Sequence, residues 1–247
     1  MYRSGLRTRF ERHLTLTAGE IATLEGADHR QLRLQPGDVL LTEGTAGAMV
    51  YVVHKGWLHM STRLPGGARQ IVCFHAAGDL MATWSIALPH SPGTLTAILD
   101  CVVAEVPTAD FGALFADHPR LAGLLCAIAA SDNIAMADRL TSIGRTGASD
   151  RLSTLLLTFL SRVRMTEGPT DAFDMPLTQG DIADALGLTK VHVNRTLRGL
   201  ERDGLIARDG RRIHILDETA MIRSTGFVDR CGTIQTDWLP PPRDQGG

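Results

Sequence analysis

The spacing of apolar positions changes period twice along the chain. From 35 to 80 the sequence reads QPGDVLLTEGTAGAMVYVVHKGWLHMSTRLPGGARQIVCFHAAGDL. Short runs rich in Val, Ile, Leu and Tyr are broken there by PGD, EG, KG, PGG and AGD. Apolar strands punctuated by glycine turns at such short intervals predict an antiparallel barrel or roll. TLTAILDCVVAEVP (94–107) continues the strands as far as Pro107. Residues 1–30 carry little beyond a weak helical pattern.

Over 109–143 the period becomes helical. Phe111, Leu114 and Phe115 precede a break at His118-Pro119. The next helix aligns Leu121, Leu125, Ile128 and Ala135 along one seam, with Asp132 and Arg139 on it and Ser142 near its end. Such a stripe is by default a helix packed on its own domain. A second apolar set (Leu124, Ile134, Met136, Leu140, Ile143) makes a subunit-pairing helix an equal alternative. On that alternative Leu121, Leu125, Ile128 and Ala135 are the candidate dimer interface. Gly144 and Gly147 supply a hinge, residues 148–163 form another amphipathic helix, and a polar loop runs from Thr166 to Pro176.

Residues 177–206 read LTQGDIADALGLTKVHVNRTLRGLERDGLI. Thr178 followed three residues later by Asp181, then Ile182, Ala183 and Leu186, predicts a capping-box helix start. Gly187 ends that helix, and Thr189 caps a second one with Val193, Leu197 and Leu200 on one face. Two short helices joined at a glycine are the pattern of a helix-turn-helix. Behind it GLIARDGRRIHIL reads strand, Asp209-Gly210 turn, strand, which is a hairpin placed as a wing. Beyond Asp217 one short helical stretch precedes Pro240-Pro241-Pro242 and a polar end expected to be disordered.

The expected architecture is therefore α+β. An N-terminal antiparallel β-roll sensor domain (1–117) leads into a dimerisation helix and hinge (118–146). A winged helix-turn-helix (147–217) and a partly disordered C-terminal extension (218–247) follow. A hydrophobic content of 44% with 21% charged residues suits a globular protein of two domains. The longest apolar run, near 121–130, is interrupted by Ser131 and Asp132, so no membrane span is expected. No basic-then-apolar leader opens the chain, which points to the cytoplasm. Cys73, Cys101, Cys126 and Cys231 form no CxxC pair and read as reduced structural thiols, with no metal site.

Charge changes the picture only locally. The formal net charge is −2, yet residues 190–212 hold seven cations (Lys190, Arg195, Arg198, Arg202, Arg208, Arg211, Arg212) against Glu201, Asp203 and Asp209, an excess of four. A basic module inside a near-neutral chain is compatible with nucleic-acid binding.

The motif PGDxLLxEGxxxxxxYxVxxGWLxM, with Gly37, Gly44 and Gly56 at tight turns, resembles the cyclic-nucleotide-binding-type roll of the CRP/FNR family of bacterial transcription regulators. The spacing of Ala183, Gly187 and Val193 in the helix-turn-helix is similar to that family's as well. The order of roll, long helix, hinge and winged helix is the specific part of the match, which spans about residues 30–216. The resemblance implies a homodimer joined along the long helix, a two-fold-related site on double-stranded DNA, and RNA polymerase as a partner.

Residues in the first turns of the second helix face the major groove in such motifs. Lys190, Val191, His192, Asn194 and Arg195 are the candidate base readers; Arg198, Thr178, Gln179 and Thr189 are candidates for phosphate. The family alignment gives Arg195 the base-contacting role, where it can bond guanine O6 and N7. Val191 stands where many relatives carry glutamate and offers an apolar surface to a thymine methyl or, alternatively, packs in the core. His192 reads equally as a surface residue.

The roll lacks the family's cyclic-AMP signature. Thr83 stands near the glutamate position and Gly93-Thr94-Leu95 cover the Arg-Ser pair, leaving no local cation for a cyclic phosphate. Residues 1–72 contain no cysteine, so the iron–sulfur arrangement of the oxygen sensors is not expected. Trp84 stands near the axial histidine of haem-containing relatives, so haem is not expected either. Cys73 and His75 read as satisfied strand residues or as ligands. The candidate effector pocket is Arg69, Asp79, Thr83, Trp84 and Thr94, and its ligand is unidentified. No GxSxG, HExxH, GxxxxGK[ST] or CxxC motif points to an enzyme. The alternative to a DNA-binding regulator is a small-molecule-binding module acting through protein contacts, against which the basic excess weighs.

Overall fold

The computed structural model describes residues 4–27, 30–230 and 234–242. The described residues form two compact units. One comprises those within 1–62, 72–131 and 233–247, the other those within 63–71 and 132–232.

The first unit begins with α1 (Gly5–Glu11), capped by Ser4, and α2 (Ala18–Gly26), whose Thr17 and Glu20 form a capping box. Strands β1 (Arg30–Leu34), β2 (Val39–Leu41), β3 (Met49–Lys55), β4 (Trp57–Arg63), β5 (Arg69–Ala76), β6 (Leu80–Met81), β7 (Thr94–Ala97) and β8 (Cys101–Pro107) follow. They build two four-stranded sheets ordered β1-β8-β3-β6 and β2-β7-β4-β5. The run 94–107 is two strands, one in each sheet, and the chain crosses between them at 98–100. β1 precedes the region where strands were expected. Only Leu32 and Leu34 of its five residues are apolar, and both pack on the roll interior. Gly37, Gly44 and Gly56 take φ of +93°, +81° and +92°. At Gly56 a Cβ would also strike the Asp100 carbonyl, so glycine is required there on both counts.

Tyr51, Val53, Leu58, Met81, Leu95 and Val103 fill the roll. A second cluster joins Val50, Val52 and Val106 to Leu6 and Phe10 of α1, Leu24 of α2 and Phe111 and Leu114 of α3 (Thr108–Asp117). Leu121, Leu124, Leu125 and Ile128 of α4 (Pro119–Arg145) complete it. This corrects the expected dimer seam: Leu121, Leu125 and Ile128 are 0%, 9% and 2% exposed within the single chain. Helices α1 and α2 contribute Leu6, Phe10 and Leu24 to the same core. Ala135, in the second unit, is exposed. By length and composition alone α4 is long and apolar enough to cross a membrane, although Ser131 and Asp132 interrupt its longest apolar run. Its apolar anchors are instead spent on this core. In the C-terminal extension Leu239 joins the same cluster, while the disorder expected at the end falls on residues 243–247, outside those described.

In the second unit α5 (Ala148–Glu167) is the central helix, with Leu152, Leu156, Phe159 and Leu160 buried. The loop expected over 166–176 contains a short strand, β9 (Ala172–Asp174), which pairs with β11 (Arg212–Ile215), itself paired with β10 (Ile206–Asp209). Phe173 stacks on Phe159 at 6.3 Å between centroids. The wing turns at Gly210-Arg211, one residue later than expected, because Asp209 pairs with Arg212. Gly210 supplies the positive φ, +59°. Helix α8 (Glu218–Thr225) is tied to α5 by Arg164, which forks onto Glu218 at 2.7 and 2.8 Å.

Candidate nucleic-acid interface

Helices α6 (Gln179–Leu186) and α7 (Lys190–Arg202) form the reading element. The Thr178 hydroxyl accepts from the Asp181 amide at 3.2 Å, and Asp181 accepts from the Thr178 amide at 3.0 Å and from its hydroxyl at 2.7 Å. Gly187 closes α6 at φ +65°, a left-handed position that favours glycine. Thr189 then caps α7 by accepting from the His192 amide at 3.2 Å. Both caps and the joint are therefore local, and the angle between the helices follows from their packed apolar faces. Ile182, Ala183 and Leu186 of α6, with Val193, Leu197 and Leu200 of α7, are buried.

That packing leaves one face of α7 outward. Val193 is fully buried, whereas Val191, two residues earlier, is 80% exposed, which resolves the two readings of Val191. Lys190, Arg195 and Arg198 are exposed, and His192 and Asn194 are half-buried. Gly180 leaves room for the Lys190 stem: a Cβ there would lie 3.0 Å from Lys190 Cε. Thr178, Gln179 and Thr189 are exposed at the two helix starts.

The seven cations of this region divide by partner. Arg208 forks onto Glu201 at 2.8 and 2.7 Å and holds that carboxyl below its ordinary range. Arg211 donates to the Met175 and Pro176 carbonyls, Arg212 approaches Asp174 at 3.5 Å and Arg202 approaches Asp203 at 3.5 Å. Among the described residues, Lys190, Arg195 and Arg198 have no carboxylate within ion-pair distance. The cations left over by the fold are those on the outward face of α7.

The candidate effector residues have separate partners. Arg69 lies in the second unit, bonded to Asp181 and Asp184. Asp79 accepts from Arg9 of α1 at 3.1 Å and from the Ala76 amide at 2.9 Å. Thr83 is exposed, and Thr94 accepts from the Glu43 amide at 3.1 Å. Trp84 packs on the roll interior, with its indole nitrogen buried and unpartnered among the described residues. A cleft of about 370 Å³ lies elsewhere, lined by Thr17, Glu20, His118, Arg120, Pro240 and Pro241 among others, and contains none of these candidates. Cys73 Sγ lies 3.3 Å from His75 Nε2, and no three potential metal ligands group together among the described residues. Sequence reasoning missed the Arg9–Asp79 pair, because its members are 70 positions apart.

A glycine-jointed helix pair with unpaired cations on its outer face and a hairpin wing behind it defines a DNA-binding regulator of the winged helix-turn-helix class. The comparisons with known proteins agree. Residues 150–224 match the Crp-like helix-turn-helix domain, and residues 31–118 match the cyclic nucleotide-binding domain. The chain is 30% identical over 205 residues to the nitrogen fixation regulation protein FixK of Bradyrhizobium diazoefficiens, covering 82% of this chain and 84% of that protein. It is 26% identical over 214 residues to the fumarate and nitrate reduction regulatory protein of Escherichia coli K12, covering 87% and 86%. The solved structure of FixK2 from Bradyrhizobium japonicum superposes with a TM-score of 0.70 at 25% identity, over 78% of this chain and 96% of that one. The chain belongs to the CRP/FNR family of transcription regulators. It is a DNA-binding regulator with a cyclic-nucleotide-binding-like domain.

Proposed function

We propose that the protein acts in the cytoplasm as a homodimer that binds a two-fold-related DNA site and regulates transcription there with RNA polymerase as its partner. The observation that carries this reading is the outward face of α7, where Val191, Arg195 and Arg198 stand clear of the core and the two arginines have no carboxylate partner. Arg195, with Lys190, His192 and Asn194, meets base edges. Arg198, Gln179 and Thr189 meet phosphate, while both donors of Thr178 are taken by Asp181. Val191 presents its methyl groups to thymine.

The dimer forms along the face of α4 that the core leaves open. Cys126, Ala130, Asn133, Ala137 and Leu140 recur at spacings of four and three, and all are exposed, Leu140 by 72%. Ile134 and Met136 flank them. A stripe with this period suits a two-stranded helical seam and replaces the buried set of Leu121, Leu125 and Ile128.

The roll senses a signal other than cyclic AMP. Thr83 offers no carboxylate to a ribose, and the stretch 87–100 around Thr94 contains no lysine or arginine to balance a phosphate. Selection of duplexes from a random library, followed by light scattering of the protein with the enriched site, tests the reading. A pseudo-palindromic site and a protein dimer are expected, and a monomer that enriches no sequence would overturn it. Calorimetry with cyclic AMP should show no micromolar binding.

A further inference from the structure

Helix α6 is gripped at both ends by residues far away in sequence. At its start Arg69, in the tip of the β4–β5 hairpin, donates through Nη2 to Asp181 at 2.6 Å and through Nε to Asp184 at 2.7 Å. At its end the Ala185 carbonyl accepts from Arg139 of α4 at 2.9 Å and from Gln70 at 3.4 Å, and the Leu186 carbonyl from Arg151 of α5 at 3.3 Å. Arg139 also donates to the Ile71 carbonyl at 3.1 Å, so the hairpin and α6 share one guanidinium. The hairpin tip, 63–71, belongs to the same compact unit as the reading helices.

The chemistry of α6 makes the first of these grips the informative one. Its start is where Gln179 would receive a phosphate, yet Asp181 and Asp184 place two carboxylates on the same short helix. Negative charge there opposes a polyanion. Neither aspartate has a cation of its own helix to balance it, and one guanidinium bridges both.

We propose that Arg69 is a positioning residue for DNA reading, holding α6 to the β4–β5 hairpin and drawing the Asp181 and Asp184 carboxylates away from the phosphate path. This rests on the DNA-binding reading above and adds a residue outside the helix-turn-helix to its machinery. Arg69 itself touches no base. Its effect is on how α6 is held and on the field that the backbone of the duplex meets.

The test uses the full-length protein and the operator enriched by the wild type. Arg69→Gln should weaken operator binding about tenfold, a free-energy change of about 1.4 kcal/mol. It should also flatten the dependence of log K on log[salt], with the thermal unfolding midpoint nearly unchanged. Arg69→Lys, which keeps the charge but cannot fork onto both carboxylates, should fall between the two. The exchange Arg69→Asp with Asp184→Arg should recover most of the lost affinity. Wild-type affinity and salt slope in Arg69→Gln would overturn the proposal, as would tighter binding or failure of the exchange to restore it. Should Arg69→Gln unfold, Arg69→Lys decides alone, and wild-type binding by that variant overturns the forked pairing. If the wild type enriches no operator, the DNA-binding reading itself falls, a result distinct from any of these.

Discussion

Leu239 seats its side chain where Gly123 leaves the surface of α4 open: a Cβ on Gly123 would lie 2.5 Å from Leu239 Cδ2. Through this contact the C-terminal extension becomes part of the core that α1, α2 and α4 share. Leu239→Ala should destabilise the first unit by about 2 kcal/mol, the lower end for a buried leucine, because the site lies at the edge of the cluster. In Gly123→Val the added bulk meets the flexible end of one side chain, so the tail should detach while the roll stays folded. Hydrogen exchange over 234–242, measured against exchange in β3 and β8, checks both. Protection of the tail unchanged in Gly123→Val would refute the contact.

The two faces of α4 should respond differently to charge. Ile128 is 2% exposed and belongs to the core cluster that also holds Leu6, Phe10 and Leu24. Ile128→Glu buries a carboxylate without a partner and should unfold the first unit, a loss of more than about 3 kcal/mol. Leu140→Glu sits on the open face and should leave the unfolding midpoint within a degree or two while converting dimer to monomer. Light scattering and circular dichroism on the same samples separate the outcomes. Oxidation should also crosslink the dimer through the exposed Cys126 and fail to do so in Cys126→Ser.

These contrasts follow from what the sequence could carry. The helix-turn-helix was legible because its determinants are local: Thr178 and Asp181 are three residues apart, Gly187 marks the joint, and Val193, Leu197 and Leu200 share one period. The roll was legible from its glycine turns. The inward face of α4 was not, because both faces are apolar and residues that share its core, Leu6, Phe10 and Leu24, lie about a hundred positions earlier on helices of seven and nine residues. Helices that short carry too few turns for a periodic signal. Arg69 was equally opaque, since its partners lie 112 and 115 residues away. Cations read from the sequence as a sum of four became three unpaired side chains only when the partners of Arg202, Arg208, Arg211 and Arg212 were known.

Acid should weaken the start of α6. Burial pushes the Asp181 carboxyl up, but the Thr178 hydroxyl and amide and the Arg69 guanidinium outweigh it and hold the group below its ordinary range. A carboxyl depressed on folding adds stability that is present above its unfolded pKa and is lost as pH falls through the folded one. Asp181→Asn should therefore be less stable than the wild type at neutral pH, by about 0.5–1 kcal/mol for a partly exposed cap. The difference should close as pH drops through and below the ordinary carboxylate range. Parallel thermal melts of the two proteins from neutral to acid pH measure it. A gap that widens in acid would contradict the assignment.

Reading and holding should separate within α7 itself. Arg195 lies in its second turn, exposed beside Asn194 and one turn on from Val191, where a guanidinium can fork onto guanine O6 and N7. Arg198 lies three residues further along, where the proposed docking would lift the helix from the groove and bring phosphate within reach. Arg195→Ala should lose about 1–3 kcal/mol of preference for one symmetric G·C pair per half-site while keeping salt-sensitive binding to any duplex. Arg198→Ala should weaken operator and scrambled DNA by similar factors. It should also flatten the plot of log K against log[salt] by about one unit for each phosphate that a subunit no longer neutralises. Both variants are titrated against the two duplexes at several salt concentrations. Both arginines are exposed and neither has a carboxylate partner, so neither change leaves a buried charge behind and the fold should be undisturbed. If both variants lose specific and non-specific binding in the same proportion, Arg195 is not at a base edge. Helix α7 would then sit in the groove at a different depth, with Val191 too far from any thymine methyl to read it.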